Sequence, residues 1–385
     1  MTMAPNNIDP VNFTIDLINC PSVTPIEGGA LNLLEDVLKD LGFKTKRYVF
    51  EDVDNLYARL GDASPNLCFA GHTDVVPTGD LNKWNNPPFE AKIIDGDLFG
   101  RGACDMKSAI AAWVAAVQKY LTEIGAPKGS ISLLITGDEE GAAINGTRKL
   151  LPAIAQDGEK IDHCIVGEPT CPEVLGDMIK NGRRGSINCT INSHGVQGHV
   201  AYPTLAKNPI PPLVEVLHLL QSNKLDDGAE GFQPSNLEIV TIDVGNPASN
   251  VIPENATARF NIRFNTNHSG NSLKQWIEKS CDDVNARMSA ELKPDIAISG
   301  EPFFTKPCHF TDIIQDAAKE ITGLTPELST TGGTSDARFI KDYCPVVEFG
   351  IVGKTLHKIN ENVATKDIYA LRDIYYKIIE KYFNL

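Results

Sequence analysis

Short apolar runs that end beside residues able to bind metal ions are the feature that most constrains this chain. Runs at 67–70, 131–136 and 164–166 predict buried strands, because their aliphatic residues do not alternate with polar ones. His72, Glu140 and Glu168 come just after these runs. Ligands of open α/β sheets bind beyond the carboxyl ends of the strands. The sequence therefore predicts an α/β fold with a mixed or parallel sheet and a metal site at one edge.

Two further residues of the same kind, Asp105 and His357, complete an ordered set of three carboxylates and two imidazoles. Such a set is sufficient for two divalent ions if one carboxylate bridges them and each ion also takes one His and one other carboxylate. This combination predicts a two-metal hydrolase.

The consecutive acids Glu139 and Glu140 follow a predicted buried strand. Adjacent carboxylates repel each other in such a place unless a cation lies close to them. We interpret Glu140 as a metal ligand and Glu139 as a general base that passes a proton to the leaving amine. The alternative is a solvated acidic turn.

The other metal candidates also have alternative interpretations when each is taken alone. His72 fits a surface turn, although Asp74 could accept a hydrogen bond from its second ring nitrogen and orient the ring. Asp105 precedes a helix predicted at 106–121, where an Asp is a common N-cap. The ordered set as a whole favours the metal site.

Three segments are candidates for substrate recognition. Arg183-Arg184-Gly185-Ser186 offers guanidinium groups, which bind carboxylates in bidentate fashion, or it is a solvated basic turn. The segment 332–336, Gly-Gly-Thr-Ser-Asp, resembles a loop whose backbone can approach a ligand closely, or it is a tight turn. His199 could polarise a substrate carbonyl or cap the end of a strand.

The chain of 385 residues is longer than one hydrophobic core usually serves, so two domains are expected. Between about 185 and 300 the predicted order is β-α-β-β-α-β, the ferredoxin-like split motif. We interpret residues 184–297 as an α+β domain inserted into a catalytic domain formed by 1–183 and 298–385.

The formal net charge of −15 argues against nucleic acid or an anionic membrane surface as a partner, although a local Arg cluster can still bind an anionic substrate. Residues 1–9 lack the features of a signal peptide, and the longest apolar run, 109–117, is too short to cross a bilayer. We expect a cytoplasmic protein whose nine cysteines, which include no CxxC pair, are reduced.

The metal frames Gly-His-Thr-Asp at 71–74, Asp-Met-Lys at 105–107, Asp-Glu-Glu-Gly at 138–141 and Gly-Glu-Pro-Thr at 167–170 resemble a known family. It is the zinc-dependent aminoacylase and carboxypeptidase G family of metallohydrolases, and the likeness covers nearly the whole chain. The resemblance implies that His72, Asp105 and Glu168 hold one zinc ion. Asp105, Glu140 and His357 would hold the other, with Asp105 bridging and Co²⁺ able to replace one ion. Asp74 and Glu139 match the family's two catalytic acids that are not ligands.

The same resemblance implies that the inserted domain is a lid that also forms a homodimer. His199 would reach the partner subunit's active site as an oxyanion donor, which makes it a third catalytic residue. Residues matching positions that contact substrate, or the backbone loop beside them, are Arg183, Ser186, Tyr202, Asn250, Arg263, Gly333 and Thr334.

The frames at 183–186, 198–203, 332–339 and 357–361 resemble one branch of the family. That branch hydrolyses an N-succinylated diamino acid, a small substrate bearing several carboxylates, in bacterial lysine and peptidoglycan precursor biosynthesis. Close relatives carry an Asn in the loop before the last metal His, which 350–355 lacks, so one substrate contact differs. The alternatives are a sibling amidohydrolase such as an acetylornithine deacetylase, a metallopeptidase of the same family, and a zinc-binding scaffold without turnover.

Overall fold

The computed structural model describes residues 7–384 and divides the chain into two compact units. Unit 1 comprises the chain up to Asn181 together with Thr305–Ser329 and the segment from Ser335 onward. Unit 2 comprises Gly182–Phe304 and Thr330–Thr334. No helix among the described residues is long and apolar enough to cross a membrane. The interpretation of 1–9 as lacking a leader falls mainly on residues 1–6, which lie outside the described range.

Along the chain, runs of one to five strands are separated by helices. The strands are β1 Lys44–Phe50, β2 Val53–Leu60, β3 Asn66–His72, β4 Lys92–Ile94, β5 Asp97–Phe99, β6 Ser130–Thr136, β7 His163–Val166, β8 Met178–Lys180, β9 Gly182–Arg183, β10 Gly185–His194, β11 Gly198–His199, β12 Asn236–Asp243, β13 Val251–Ile252, β14 Asn255–Phe264, β15 Leu292–Gly300, β16 Phe303–Phe304, β17 Glu327–Ser329, β18 Val346–Glu348 and β19 Asn362–Ala364. The helices are α1 Pro10–Ile18, α2 Ala30–Asp40, α3 Ser108–Glu123, α4 Thr147–Gln156, α5 Ile210–Ser222, α6 Gly270–Met288, α7 His309–Thr322, α8 Ala337–Ile340 and α9 Thr365–Phe383.

Unit 1 is built on an eight-stranded mixed sheet with the order β1-β2-β6-β3-β7-β18-β8-β17. Strand β3 is parallel to both β6 and β7, and β18 is parallel to β7. Helices α3 and α9 bury aromatic side chains against β3, where the rings of Phe69 and Trp113 stack with centroids 4.9 Å apart. Because the central strands run the same way, their carboxyl ends meet at one edge, as predicted.

The helix predicted at 106–121 begins later than expected, since α3 starts at Ser108. The preceding turn, 103–107, contains non-helical backbone at Asp105 (φ −116°, ψ 98°) and Met106, which are joined by a cis peptide bond. Lys107 precedes α3, and no side chain caps the helix. The interpretation of Asp105 as a simple N-cap is therefore wrong.

Unit 2 contains a four-stranded antiparallel sheet with the order β12-β14-β10-β15 and two long helices, α5 and α6. Along β10, Ile187, Cys189 and Ile191 are buried and pack in one cluster with apolar residues of both helices. The intervening side chains of β10 are more exposed. This alternation of buried and more exposed residues along β10 follows from a sheet with one covered face.

All nine cysteines lie within the described residues and are free thiols. Cys68, Cys164 and Cys189 lie in strands and are at most 2% exposed. They act as small apolar residues of the two cores.

Candidate metal centre

The carboxylate of Asp105 lies between two imidazoles in unit 1. Its Oδ1 is 3.2 Å from Nε2 of His72, and its Oδ2 is 2.9 Å from Nε2 of His357. Each oxygen thus faces a different ring, which is the arrangement that a carboxylate bridging two ions requires. The irregular turn at 103–107 gives Asp105 this position.

His72 is the last residue of β3 and is 1% exposed. Its Nδ1 lies 2.8 Å from the backbone carbonyl oxygen of Asp74, and in the neutral ring this bond keeps the proton on Nδ1 and leaves Nε2 free to bind a metal. The sequence suggested the Asp74 carboxylate for this role, but its Oδ1 is 3.7 Å from Nδ1. The Asp74 carbonyl is therefore the nearer partner.

The buried Asp74 carboxylate instead orients the pair of adjacent acids. It accepts hydrogen bonds from the backbone N–H groups of Glu139 (3.3 Å) and Glu140 (3.1 Å). One residue consequently contacts the His72 ring through its carbonyl and fixes the Glu139-Glu140 backbone through its side chain.

The candidate ligands form two compact groups, within each of which the ligating atoms lie no more than 4.8 Å apart. One group is His72, Asp105 and Glu140, and the other is His72, Glu139 and Glu168. His357 Nε2 adjoins the first group, 2.9 Å from Glu140 Oε1. All five expected ligands therefore belong to one cluster. Glu139, which the resemblance assigns to proton transfer, also lies within ligating distance.

The electrostatics of this cluster show an excess of negative charge. Burial raises the pKa of Glu139 well above its usual value, and the charge of Glu168 raises it further. Burial likewise raises the pKa of Glu140. Hydrogen bonds that the carboxylates of Asp105 and Glu140 accept from its ring raise the pKa of His357 to about 10. Glu139, Glu140 and both imidazoles thus hold protons more tightly than usual, as expected where positive charge is lacking. Burial opposes the charge of Asp105 as well, but hydrogen bonds from the two imidazoles outweigh it and lower the pKa of that carboxylate.

Divalent cations fit this need. Among residues 7–384, no Lys or Arg forms an ion pair with Asp105, Glu139 or Glu140. The buried Lys107 does not supply the charge directly, since its Nζ donates hydrogen bonds to the carbonyls of Leu17 (2.8 Å) and Cys20 (2.9 Å). The donor set of imidazole nitrogens and carboxylate oxygens matches Zn²⁺.

Two glycines that each precede a ligand make room beneath the cluster, a role that the sequence analysis missed. A Cβ on Gly71 would lie 2.7 Å from Cε of Met106. A Cβ on Gly167 would lie 2.6 Å from the same atom and 2.4 Å from the ring of Phe69. A larger residue at either position would force Met106 to shift, and one at 167 would also displace the packed ring of Phe69. The Gly-ligand dipeptides 71–72 and 167–168 were the features that could have revealed this packing.

Asp336, at the end of the 332–336 segment, was also missed as a part of this region. It is 4% exposed, and burial raises its pKa to about 6. Its charge is among the causes that raise the pKa of Glu139. The earlier part of the segment, up to Thr334, belongs to unit 2.

The candidates for substrate binding, and His199, all lie in unit 2 and form two groups there. In the first, Ser186 is the cross-strand partner of Arg263, and Arg183 Nη1 donates to the carbonyl of Thr331 (3.1 Å), in the loop that carries Gly333 and Thr334. In the second group, the rings of His199 and Tyr202 have centroids 5.7 Å apart. Val200 N–H donates to the carbonyl of Asn250 (3.1 Å).

Arg184 and Arg263 make no ion pair within the part of the chain that the structure describes. Burial lowers the pKa of both, and the charge of Arg263 lowers that of Arg184 further, which places the two guanidinium groups within electrostatic range of each other. Arg184 Nη1 donates only to the neutral Asn236 side chain (2.9 Å). Two neighbouring cations without counter-charge are suited to binding a carboxylate.

Comparisons with known proteins agree with this chemistry. Succinyl-diaminopimelate desuccinylase of Rhodospirillum centenum is 56% identical over 386 aligned positions, which cover 99% of this chain and 98% of the relative. The enzyme of the same name from Parvibaculum lavamentivorans is also 56% identical and covers 97% and 96%.

Solved structures share the fold at low identity. An M20 family metallo-carboxypeptidase from Sulfolobus solfataricus has a TM-score of 0.80 and 18% identity, covering 98% of this chain and 100% of that one. A dinuclear metal-binding M20 peptidase from Bacillus subtilis has a TM-score of 0.73 and 15% identity, covering 97% and 98%. The family model described as peptidase family M20/M25/M40 matches residues 68–381. The metallohydrolase resemblance drawn from the metal frames is thereby confirmed, and the chain belongs to peptidase family M20/M25/M40.

Proposed function

We propose that this enzyme hydrolyses the amide of N-succinyl-LL-2,6-diaminopimelate to succinate and LL-2,6-diaminopimelate, a step of bacterial lysine and peptidoglycan precursor biosynthesis. Hydrolysis rests on the Asp105 carboxylate between two imidazoles, with Glu139 beside it. The assignment of the substrate is supported by relatives that are 52–56% identical to this chain. They carry the desuccinylase name and align over nearly their whole length.

We propose Zn²⁺ as the natural metal, with Co²⁺ able to replace one ion. His72, Asp105 and Glu168 would hold one ion, and Asp105, Glu140 and His357 the other. Two such ions would lower the pKa of a water molecule and polarise the amide carbonyl. This assignment leaves Glu139 as the one acid of the two compact groups that is not used as a ligand.

Glu139 would then act as the general base and acid. Its carboxylate takes one proton from the attacking water and gives it to the amide nitrogen as the C–N bond breaks, so that the amine leaves neutral. Asp74 supports this role because its hydrogen bonds fix the backbone of both adjacent acids. The raised pKa of Glu139 suits a group that must hold and then release a proton.

For recognition, we propose that the cationic group of unit 2 binds substrate carboxylates. Arg183, Ser186, Arg263, Gly333 and Thr334 would contribute to it. Tyr202 and Asn250 would contact substrate beside His199. The unpaired guanidinium of Arg263 supports a dicarboxylate-bearing substrate over an acetylated one, because an acetyl group offers no distal carboxylate.

Unit 2 would be a ferredoxin-like lid that also forms a homodimer. The strand order β12-β14-β10-β15 supports the ferredoxin-like topology. His199 would stabilise the oxyanion in the partner subunit's site. The family resemblance supports the dimer, the role of His199 and a cytoplasmic location.

A substrate comparison tests the proposed function. Zinc-loaded protein is given succinyl-LL-diaminopimelate, acetylornithine or a dipeptide, and loss of the amide absorbance is followed. We expect strong preference for the succinyl substrate. Preference for acetylornithine would support the sibling amidohydrolase, turnover of dipeptides alone would support a peptidase, and no turnover of any of them would support the scaffold.

Complementation between inactive variants tests the proposed role of His199. We expect a mixture of His199→Ala and Glu139→Gln proteins to regain activity as subunits exchange, because one site of a mixed dimer then has both residues. Absence of recovery, with exchange demonstrated by mass labelling, would contradict a site shared between subunits.

A further inference from the structure

Glu361 is a buried carboxylate that binds the turn carrying Asp105. It is fully buried, and each of its oxygens accepts two hydrogen bonds. Oε1 accepts from the backbone N–H groups of Cys104 (2.7 Å) and Asp105 (3.0 Å). Oε2 accepts from the backbone N–H of Gly102 (3.1 Å) and from Nη1 of Arg101 (2.7 Å).

The same carboxylate lies four residues after His357, so it connects the segments of two candidate ligands. The intervening loop has left-handed backbone at His357 (φ 58°) and Asn360 (φ 60°). The loop is closed at its base, where Thr355 Oγ1 donates to the carbonyl of Asn362 (2.6 Å) and accepts from its N–H (3.0 Å). Backbone that non-glycine residues rarely adopt must be held by its surroundings.

Arg101 strengthens this connection and balances its charge. Only 2% exposed, it pairs with Glu361 and also donates to the carbonyls of Lys358 (3.3 Å) and Pro77 (3.3 Å). Its guanidinium also lies 5.3 Å from the ring of Trp84. Without Arg101, Glu361 would add one more buried negative charge beside an already acidic cluster. The pair thus joins the two segments without adding net charge.

We propose that Glu361 is a positioning residue of the metal centre, which holds the Asp105 turn and the His357 loop in register so that both ligands are in place before a metal binds. This inference rests on the proposed two-metal site. Groups that orient metal ligands commonly affect metal affinity by about 10–100-fold. Glu361 acts on the backbone of one ligand and on the loop of another, so its loss should weaken binding at both ions that Asp105 bridges.

The substitution Glu361→Gln tests the proposal. In either orientation the amide NH₂ of Gln faces two hydrogen-bond donors, so the turn at 102–105 must shift. We expect the Zn²⁺ dissociation constants, measured by competition with a chelator, to rise by about 10–100-fold. We also expect the visible absorption spectrum of the Co²⁺-loaded variant to differ from that of the wild type, because the ligand geometry has changed.

Asp226→Asn is the matched control. Asp226 is a half-buried residue whose side chain is 8% exposed. Its carboxylate also has four donors, namely Gly228 N–H (2.7 Å), Ser235 N–H (3.2 Å), Asn265 Nδ2 (2.7 Å) and His268 Nε2 (3.1 Å). It lies in unit 2 and contacts no candidate ligand. We expect the control to lose thermal stability but to keep the wild-type dissociation constants and Co²⁺ spectrum.

A folded Glu361→Gln protein that loses stability but keeps wild-type affinity and spectrum would overturn the proposal, since Glu361 would then only support the fold. If Glu361→Gln does not fold, Glu361→Asp, which keeps the charge on a shorter side chain, is judged by the same two readouts. A wild-type protein that binds no metal would overturn the proposed function and this inference together. Two ions bound equally tightly by wild type and variant would overturn the inference alone.

Discussion

Two clusters of polar side chains, one in each unit, differ in how their carboxylates are satisfied. In unit 2, burial alone would raise the pKa of Asp226, but hydrogen bonds from Ser235, Asn265 and the backbone outweigh it and lower the pKa to about 2. In unit 1, burial and neighbouring charge raise the pKa of Glu139 and Glu140. In unit 2, protein donors alone satisfy the carboxylate of Asp226. In unit 1, the carboxylates lack a positive charge to balance them.

This difference distinguishes a structural cluster from a functional one. Hydrogen-bond donors aimed at a carboxylate stabilise its charge and tie neighbouring segments together. Carboxylates aimed at one another destabilise the folded chain unless a cation joins them. The cluster in unit 1 therefore has a physical reason to bind metal, and the cluster in unit 2 has none.

Replacing the proposed base should have the largest effect on the unit 1 cluster. We expect Glu139→Gln to lower kcat by about 10²–10⁴-fold, because the proton transfer is lost, while both metal ions stay bound. Steady-state kinetics and elemental analysis measure the two quantities. Glu159→Gln, which changes an acid paired with Arg59 in the same unit, is the control and should keep its activity. Unchanged turnover in Glu139→Gln would contradict the assignment of the base.

Removing a cation from unit 2 should affect binding instead of chemistry. We expect Arg263→Gln to raise KM for the succinyl substrate by about 10–100-fold, the usual range for one hydrogen bond to a charged group, with little change in bound metal. Arg259→Gln is the matched control, four residues earlier on β14 and exposed. Equal KM values for the two variants would argue against a carboxylate site at Arg263.

The stability of metal-free protein should depend on pH in a way that the metal abolishes. In the folded chain the pKa values of Glu139, Glu140, His72 and His357 are all raised. These groups bind protons more tightly when folded, so their contribution to stability declines as pH rises, for His357 between its unfolded value and about 10. We expect the Tm of chelator-treated protein to fall between pH 6 and 9, relative to zinc-loaded protein. If Tm changed with pH in the same way for both forms, the cluster would not lack positive charge in the absence of metal.

The smallest effect on stability is expected at Asp226. Its contribution to stability should change with pH in the direction opposite to that of the unit 1 cluster. Because its folded pKa is lowered to about 2, its contribution to stability is present above its unfolded value and is lost as pH falls towards 2. We expect Asp226→Asn to cost about 1 kcal/mol in urea unfolding at pH 7 and less at pH 3. A difference that stays constant over this range would show that the carboxylate charge is not what stabilises unit 2.

Much of this contrast could be predicted from the sequence. The buried strands, the helices of unit 2 and the five candidate ligands were all identifiable, because apolar runs and short ligand frames are local patterns. The predicted helix start at Met106 was wrong, since the turn at 103–107 depends on a carboxylate more than 250 positions away.

The missed residues share that cause. Glu361 and Arg101 acquire their importance only from partners distant in sequence. The frame at 357–361 includes Glu361, but nothing local assigns a role to either residue. Asp74 was expected to contact His72 through its side chain, but the backbone carbonyl serves because the carboxylate is used by 139–140. Single-sequence reasoning finds which residues can carry chemistry, whereas the contacts that orient them require the fold.

Metal stoichiometry is the direct test of a two-metal site bridged by Asp105. Wild-type protein and Asp105→Ala are equilibrated with Zn²⁺, dialysed and analysed for bound metal per chain. We expect two ions in the wild type. In the variant we expect loss of tight binding at both sites, because the Asp105 carboxylate would bridge the two ions. Fewer than two ions in the wild type, or two ions held equally tightly without Asp105, would contradict this expectation.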